Sequence, residues 1–473
     1  MIRYHQPTFI LKIYFKFFVG LIFLWNNVPG NAIESSPPKT SRIFFKDTKV
    51  WDIEITVPLK HYKMLQPKAK QGYGMNFNYV RANINIAGQN FADIGLRYKG
   101  NSSFSSARDI PKKSFKIDFN RFIKDQKFLG LTKLNLNNNI LDPSQIREAL
   151  AYRLWSKIEL PSPRATFARV TLTIPDQSDK KLLGLYVVVE QVNAPLLRER
   201  FGTDKGLLLK PEQSLSMPYL GENFEEYKRI YTPKSNAKPS LKKRFIEFTR
   251  LINEKEDEIF EKKISSYIDF RQLAKFTAAH TILSHLDSFL LRGHNYYIYL
   301  PKADRKFIFL PWDVNSTFAS HRSAGSPEQQ FNLSIKHPFP REQRLLERLI
   351  KLKSFRNLYD NEIKNLATTH FSKKAIIKDM TELRKSVETS VKHDEYSNYY
   401  EFVNNFQTPK ASNINKMQGS FRPVRKPLLR EFLIKRHESI TAQWSENREG
   451  YTPSIRQRSN RRTTKQSPRK RPD

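Results

Sequence analysis

The sequence predicts an α+β protein in two lobes, strand-rich up to about residue 195 and helical beyond it. Three observations carry this. Period-2 alternation recurs between residues 51 and 190, a single helical stretch interrupts those strands, and helix-length apolar patterns follow from Leu241 onward. The 473 residues include 34 Phe and 20 Tyr but only 16 Gly, enough apolar mass for a large core and no low-complexity framework. There is no cysteine, which excludes disulfides, thiolate metal sites and a cysteine nucleophile.

Arg3, Lys12 and Lys16 precede an apolar run, Phe17 to Trp25, too short to span a bilayer of ~30 Å. Gly30 and Ala32 follow at cleavage-site spacing, so residues 1–32 read as a secretory signal. An uncleaved anchor is the alternative, because Ile10 to Phe15 would lengthen the run if Lys12 and Lys16 snorkelled. Residues 33–48 are polar with Pro and Ser, hence a linker; 49–195 form the strand-rich lobe and 196–447 the helical lobe. Residues 448–473 are a basic tail with almost no apolar side chains, expected to be disordered.

In the first lobe, strands are expected at 51–57, 77–86, 91–98 and 114–119, with a hairpin turn at Ala87-Gly88-Gln89-Asn90. Asp142-Pro143 supplies an N-cap and a first-turn proline for a helix to Lys157, before strands at 168–174 and 183–190. In the second lobe, helices are expected at 241–253, 256–266 and 270–285, then strands at 296–300 and 307–311. A polar loop (319–338) and further helices from Arg341 to about His393 complete it.

The net charge is +36, and most of it lies outside the leader and the tail. A basic exported chain suits an anionic surface or a polyphosphate ligand. The tail's Arg456, Arg458, Arg461, Arg462, Lys465, Arg469, Lys470 and Arg471 suit a polyanion or anionic lipid by counterion release. A purely solubilising tail is the alternative, and no specific nucleic-acid partner is indicated.

The chemistry concentrates between Asp287 and Asp313. If strands 296–300 and 307–311 pair about a turn near 303–304, Asn295 and Asp313 lie almost opposite one another at the open end. An amide oxygen and a carboxylate so placed can share a hard divalent cation. Asp287 enters the same end from the preceding helix. Helix, Asp, Asn, hairpin, Asp is the order in which a protein-kinase fold presents its base and two metal ligands. Taken singly, each residue equally suits an ordinary cap or strand end. His280 and His285, five apart on the helix, form no metal site.

Phosphate contacts are expected from the first lobe. No Walker A follows Gly95-Leu-Arg-Tyr-Lys-Gly100, and no kinase glycine loop is present. Instead Lys99-Gly100-Asn101-Ser102-Ser103 offers N–H groups and hydroxyls for phosphate oxygens, an ordinary turn being the alternative. Lys113 is expected as the phosphate lysine, with Lys116 next. Glu148 lies on a helix apolar on two sides and is expected to be buried with Lys113 as its cation, an exposed helix glutamate being the alternative. Glu190 ends the apolar run 185–189 where a hinge would meet a base.

These segments resemble the spore-coat-protein-H (CotH) kinase family. The stretches are Arg97-Tyr-Lys-Gly-Asn-Ser-Ser103 with Pro111–Phe119, Asp142–Glu148, Gly184–Asn193, Asp287 through His294-Asn-Tyr-Tyr-Ile-Tyr299, and Pro311-Trp-Asp313. The resemblance covers roughly 50–390. It implies an atypical protein-kinase-like fold, ATP with Mg²⁺ or Mn²⁺ as cofactor, and phosphorylation of Ser/Thr on a surface, coat or envelope protein. By the match Asp287 is the catalytic Asp and Asp313 the metal-binding Asp. The family's Trp-Asp motif usually reaches a second acid, where this chain has Asn315. A catalytically weak or inactive protein with a scaffolding role at the coat or cell surface is therefore the alternative.

Overall fold

Alternation of inward and outward side chains builds the first strands: β1 (Val50–Thr56), β2 (Val80–Ile86), β3 (Gln89–Tyr98), β4 (Phe115–Asp118), β5 (Lys133–Asn137), β6 (Ala165–Ile174) and β7 (Ser178–Glu190). The computed structural model describes residues 40–67, 77–212, 216–408 and 427–454, so the expected signal and the tail beyond 454 lie outside the described residues. The β2–β3 turn is Ala87-Gly88, with φ of 51° and 78°, and Ile86 opposes Gln89. Those left-handed values match the right-handed twist of the flanking strands.

The seven strands close into a barrel in the order β1-β2-β3-β4-β5-β7-β6. Closure is made by β1 and β6 running parallel, with Ile53 opposite Val170. Ile55, Ile84, Leu96, Phe115, Ile117, Leu134, Leu136 and Val188 are among the buried side chains of its core. The alternate residues of β3, β4, β5 and β7 point outward. Arg97, Lys116, Asn135 and Val189 therefore form one row across that outer face.

A second sheet has the order β11-β10-β8-β9, from β8 (Gly206–Pro211), β9 (Tyr231–Pro233), β10 (Tyr296–Pro301) and β11 (Ile308–Pro311). Around it lie α1 (Arg147–Lys157), α2 (Ala194–Phe201), α3 (Pro239–Glu254), α4 (Asp257–Ile264), α5 (Phe270–Ile282), α6 (Lys353–Thr368), α7 (Lys373–Lys392) and α8 (Leu429–Trp444). The larger core joins this sheet, these helices and the outward valines of β7. No helix among the described residues is long and apolar enough to cross a membrane.

Several expectations are corrected. The 33–48 linker contains a short helix, Thr40–Phe44, whose Phe44 is buried against Trp51 and Phe128. The helix expected from Asp142 begins at Arg147, because the Asp142 carboxylate instead accepts from the backbone N–H groups of Ser144 and Arg147. The helix expected to reach His285 stops at Ile282. The start of the tail is ordered: Tyr451 forms a parallel bridge with Leu333. Within the expected polar loop, Pro327–Phe331 is helical behind a Ser326/Gln329 capping box.

Candidate active site

The hairpin of β10 and β11 places Tyr296 opposite Pro311 and Ile298 opposite Phe309, the register expected from the turn. One step beyond, the Trp312 N–H donates to the Asn295 carbonyl at 3.1 Å. Asn295 and Asp313 thus flank the open end, and both adopt left-handed backbone, with φ of 59° and 51°. Such conformations in non-glycine residues need support from their surroundings. For Asn295 the support is visible: its Nδ2 donates to the Asp287 carbonyl at 2.7 Å. That bond ties the Asp287 loop to the mouth of the hairpin.

The Asp287 carboxylate is 24 % exposed. His294 Nε2 lies 3.0 Å from its Oδ1 and His321 Nδ1 lies 3.7 Å away. Burial pushes this carboxyl up, but the hydrogen bond from His294 and the neighbouring imidazoles outweigh it and hold Asp287 well below the usual carboxylate range. Because α5 ends at Ile282, the chain turns and stacks His285 on His280, with their Nδ1 atoms 3.0 Å apart. Both rings are buried beneath the loop.

The barrel supplies the opposing face. Lys99, just past β3, donates to Asn137 Oδ1 at 2.5 Å, and Asn137 Nδ2 donates to Glu148 Oε2 at 2.7 Å. Glu148 sits in the first turn of α1, where the helix dipole favours a carboxylate. The helix start is fixed by Asp142, which also accepts from the Arg147 guanidinium at 2.6 Å, and Arg147 in turn donates to the Pro427 carbonyl. Burial, then the nearby Asp313 carboxylate, push Glu148 up to about 7, against the opposing pull of Lys99 and Asn137. Burial lowers Lys99, opposed by Asp313 and Glu148. Lys99, Glu148 and Asp313 therefore form one electrostatic unit.

Beside it, Lys116 Nζ donates to Gln191 Oε1 at 2.5 Å, and Gln191 Nε2 donates to the Tyr297 hydroxyl at 3.3 Å. Tyr297 packs edge-on to Trp312, over which Lys99 lies 5.8 Å from the ring centroid. These contacts link the barrel's outer face to the second sheet at the end where Asp313 emerges.

Asp287, Asn295, Asp313 and Glu148 are thus brought to one region, and two expected residues are not. Lys113 is corrected: its ammonium donates to the carbonyls of Ala107 and Arg108, at the electronegative end of the short helix Asn101–Ser106. Its expected place beside Glu148 belongs to Lys99, reached through Asn137. Glu190 is corrected too. Its buried carboxylate is held by Arg164 at 2.6 Å and Arg200 at 3.1 Å, in a cluster with Glu199, which leaves it a structural anchor. The neighbouring Gln191 faces the site instead. Asn101, Ser102 and Ser103 follow Lys99 in that short helix, where Gly100 has φ 78° and an added Cβ would collide with Ser103 Oγ.

Asn137 and Gln191 are the site residues that sequence reasoning missed, and Lys99, named within the phosphate segment, was given no side-chain role there. Lys99 had a signal, since it continues the outward face of β3 one step beyond Arg97. Asn137 had a weaker one, the alternation of Leu134 and Leu136 with polar neighbours.

Residues 96–458 match the profile of the family described as CotH kinase protein. The chain belongs to this family. It is 24 % identical over 229 residues to the inner spore coat protein H of Bacillus subtilis, a stretch covering 48 % of this chain and 59 % of that protein. Among solved structures it is similar to the proinflammatory kinase CtkA of Helicobacter pylori. That match has 10 % identity and a TM-score of 0.25, over 71 % of this chain and 94 % of the other. CotH membership supports a phosphotransferase of kinase type at the level of the family.

Proposed function

We propose that this protein is an exported kinase that transfers the ATP γ-phosphoryl group to Ser or Thr of a surface, coat or envelope protein. The name of the B. subtilis relative, an inner spore coat protein, supports the location. The observation that carries the chemistry is the meeting of two groups of residues. Asp287 and Asn295 are joined at the hairpin mouth. Lys99, Asn137 and Glu148 form a chain whose charges couple to Asp313.

In this reading the fold is an atypical two-lobed kinase, the barrel serving as the first lobe. Asp287, held ionised, orients the acceptor hydroxyl; a carboxylate of lowered pKa is a weak base, so it takes the proton only as the bond to phosphorus forms. The hydroxyl oxygen bonds to the γ-phosphorus as the bond to the bridging oxygen breaks, leaving a phosphoester and ADP. Lys99 contacts the phosphates, and Glu148 with Asn137 holds Lys99 in place.

Residue chemistry fits a divalent metal. Among the described residues no hydrogen bond reaches the Asp313 side chain or Asn295 Oδ1, so two hard oxygen donors are available at the hairpin mouth. No group of three or more His, Asp or Glu suited to a metal exists among the described residues, so phosphate oxygens would complete the shell. Bound Mg²⁺ or Mn²⁺ would offset phosphate charge. Asn315, in place of the family's second acid, is exposed.

The test is incubation of the full chain with γ-labelled ATP, Mg²⁺ or Mn²⁺ and candidate coat or surface proteins, beside Asp287→Ala. Label transfer that needs metal and disappears in a folded Asp287→Ala variant supports the reading. Equal transfer by the variant would overturn it.

A further inference from the structure

The outer face of the barrel carries more positive charge than its own structure compensates. In the β3–β4 ladder Arg97 stands directly opposite Lys116. Like charges so opposed are unfavourable in a sheet. Lys116 has the Gln191 amide oxygen as its hydrogen-bond acceptor. Burial, then Arg97, Lys99, Lys133 and Lys234, push it well below the usual lysine range. Lys133 is matched by Asp118 at 3.1 Å and Lys210 by Glu212 at 3.1 Å. Among the described residues, no carboxylate lies within ion-pair distance of Arg97, Lys116, Lys234 or Lys242.

Through Lys234 this strip runs into an open cavity of about 670 Å³, lined by Lys228, Pro233, Lys234, Ser235, Asn236 and Lys242. Its three lysines come from three separate places: the end of the short helix Phe224–Tyr227, where Lys228 is already paired with Glu225 at 2.6 Å, the residue after β9, and α3. Lys242 is half-buried with its ammonium 5.3 Å from the Phe224 ring, so it is directed as well as present. The cavity lies at the β9 edge of the second sheet, whereas Asp313 leaves the β11 edge. Three strand spacings separate the edges, and by the ladder register Lys234 lies level with Ile308, so the separation from Asp313 is roughly 22 Å, which about six or seven residues of extended chain would cover.

We propose that this cavity is a docking subsite for a negatively charged stretch of the acceptor polypeptide, bearing Asp, Glu or phosphoserine. The stretch would sit about six or seven residues from the modified hydroxyl. The placement rests on the phosphotransfer reading above; anion binding by the cavity does not. A single inorganic ion would fill a small part of the volume, while an extended acidic segment meets Lys234 and Lys242 together and brings the missing countercharge.

The experiment uses full-length protein and fluorescent peptides with one Ser and, about six or seven residues away, a cluster of Glu, of phosphoserine, or of Gln. Binding is read by anisotropy and turnover by label transfer, for the parent and for Lys234→Glu/Lys242→Glu. Both anionic peptides should bind, the Gln peptide should not, and the affinity should fall steeply with salt. The double variant should weaken binding at least tenfold and raise the peptide KM comparably, with kcat and the ATP KM unchanged. Which anionic peptide binds more tightly separates carboxylate from phosphate as the natural source. Anionic peptides that bind without turnover in the parent would support the subsite and count against phosphotransfer. Equal binding of the Gln peptide, a raised ATP KM in the variant, or displacement of the peptide by DNA or anionic vesicles as effective as by peptide would overturn the proposal.

Discussion

Replacing Glu148 by glutamine separates two accounts of the buried charge beside Lys99. If desolvation dominates, the folded chain holds the Glu148 proton up to about pH 7, against an ordinary 4.5. Between those values the folded state binds more protons than the unfolded one, so stability falls as pH rises through this window and levels off above it. At 1.36 kcal/mol per pKa unit the full loss is about 3 kcal/mol. The Glu148→Gln side chain would keep its size and a polar contact for Asn137 but cannot ionise. The variant-minus-parent difference in unfolding free energy should therefore grow by up to about 3 kcal/mol from pH 5 to pH 8. Urea titrations of nucleotide-free, metal-free protein at several pH values measure it. A difference that stays flat, or a variant that loses ground at pH 8, would mean that the Lys99 ammonium outweighs burial and would refute the reasoning.

Three further predictions concern buried cations. The Lys112–Asp394 pair is fully buried at 2.5 Å, and Asp394 also accepts from the Leu185 N–H at 2.9 Å beside Gly184, where an added Cβ would collide with the carboxyl. Asp394→Asn should strand the ammonium and destabilise by about 3–5 kcal/mol in denaturant unfolding; a loss under about 1 kcal/mol would contradict this. Lys99→Met should lower label transfer by about a hundredfold or more, the scale of a lost electrostatic stabiliser. Lys113→Met should leave transfer within a few-fold and cost about 1–2 kcal/mol of stability for its carbonyl bonds. The reverse pattern would return the phosphate role to Lys113.

Much of the site was legible because its parts are close in sequence. The β10–β11 hairpin has a short turn and strong alternation, so the opposition of Asn295 and Asp313 follows from counting residues about that turn. The nearby Asp287 came with it. Glu148 was legible as buried, because apolar residues surround it on both sides of its helix. Its partner was not. Lys99 and Lys113 both flank strands, and only the fold-back of residues 107–113 shows Lys113 captured by the carbonyls of Ala107 and Arg108. Glu190 was read as a hinge carboxylate for the same reason: Arg164 and Arg200, which hold it, carry no local signature of doing so.

Local patterning thus determined the strands and hairpins, the class of the fold, and the oxygen-bearing residues at the hairpin mouth. Tertiary structure alone decided barrel closure, which needs β1 to meet β6 across more than a hundred residues. It alone decided which lysine serves which carboxylate. Periodicity fixes the side of an element on which a residue lies, but the partner of a buried charge is set by chain paths that return from far away in sequence, and no local repeat encodes them.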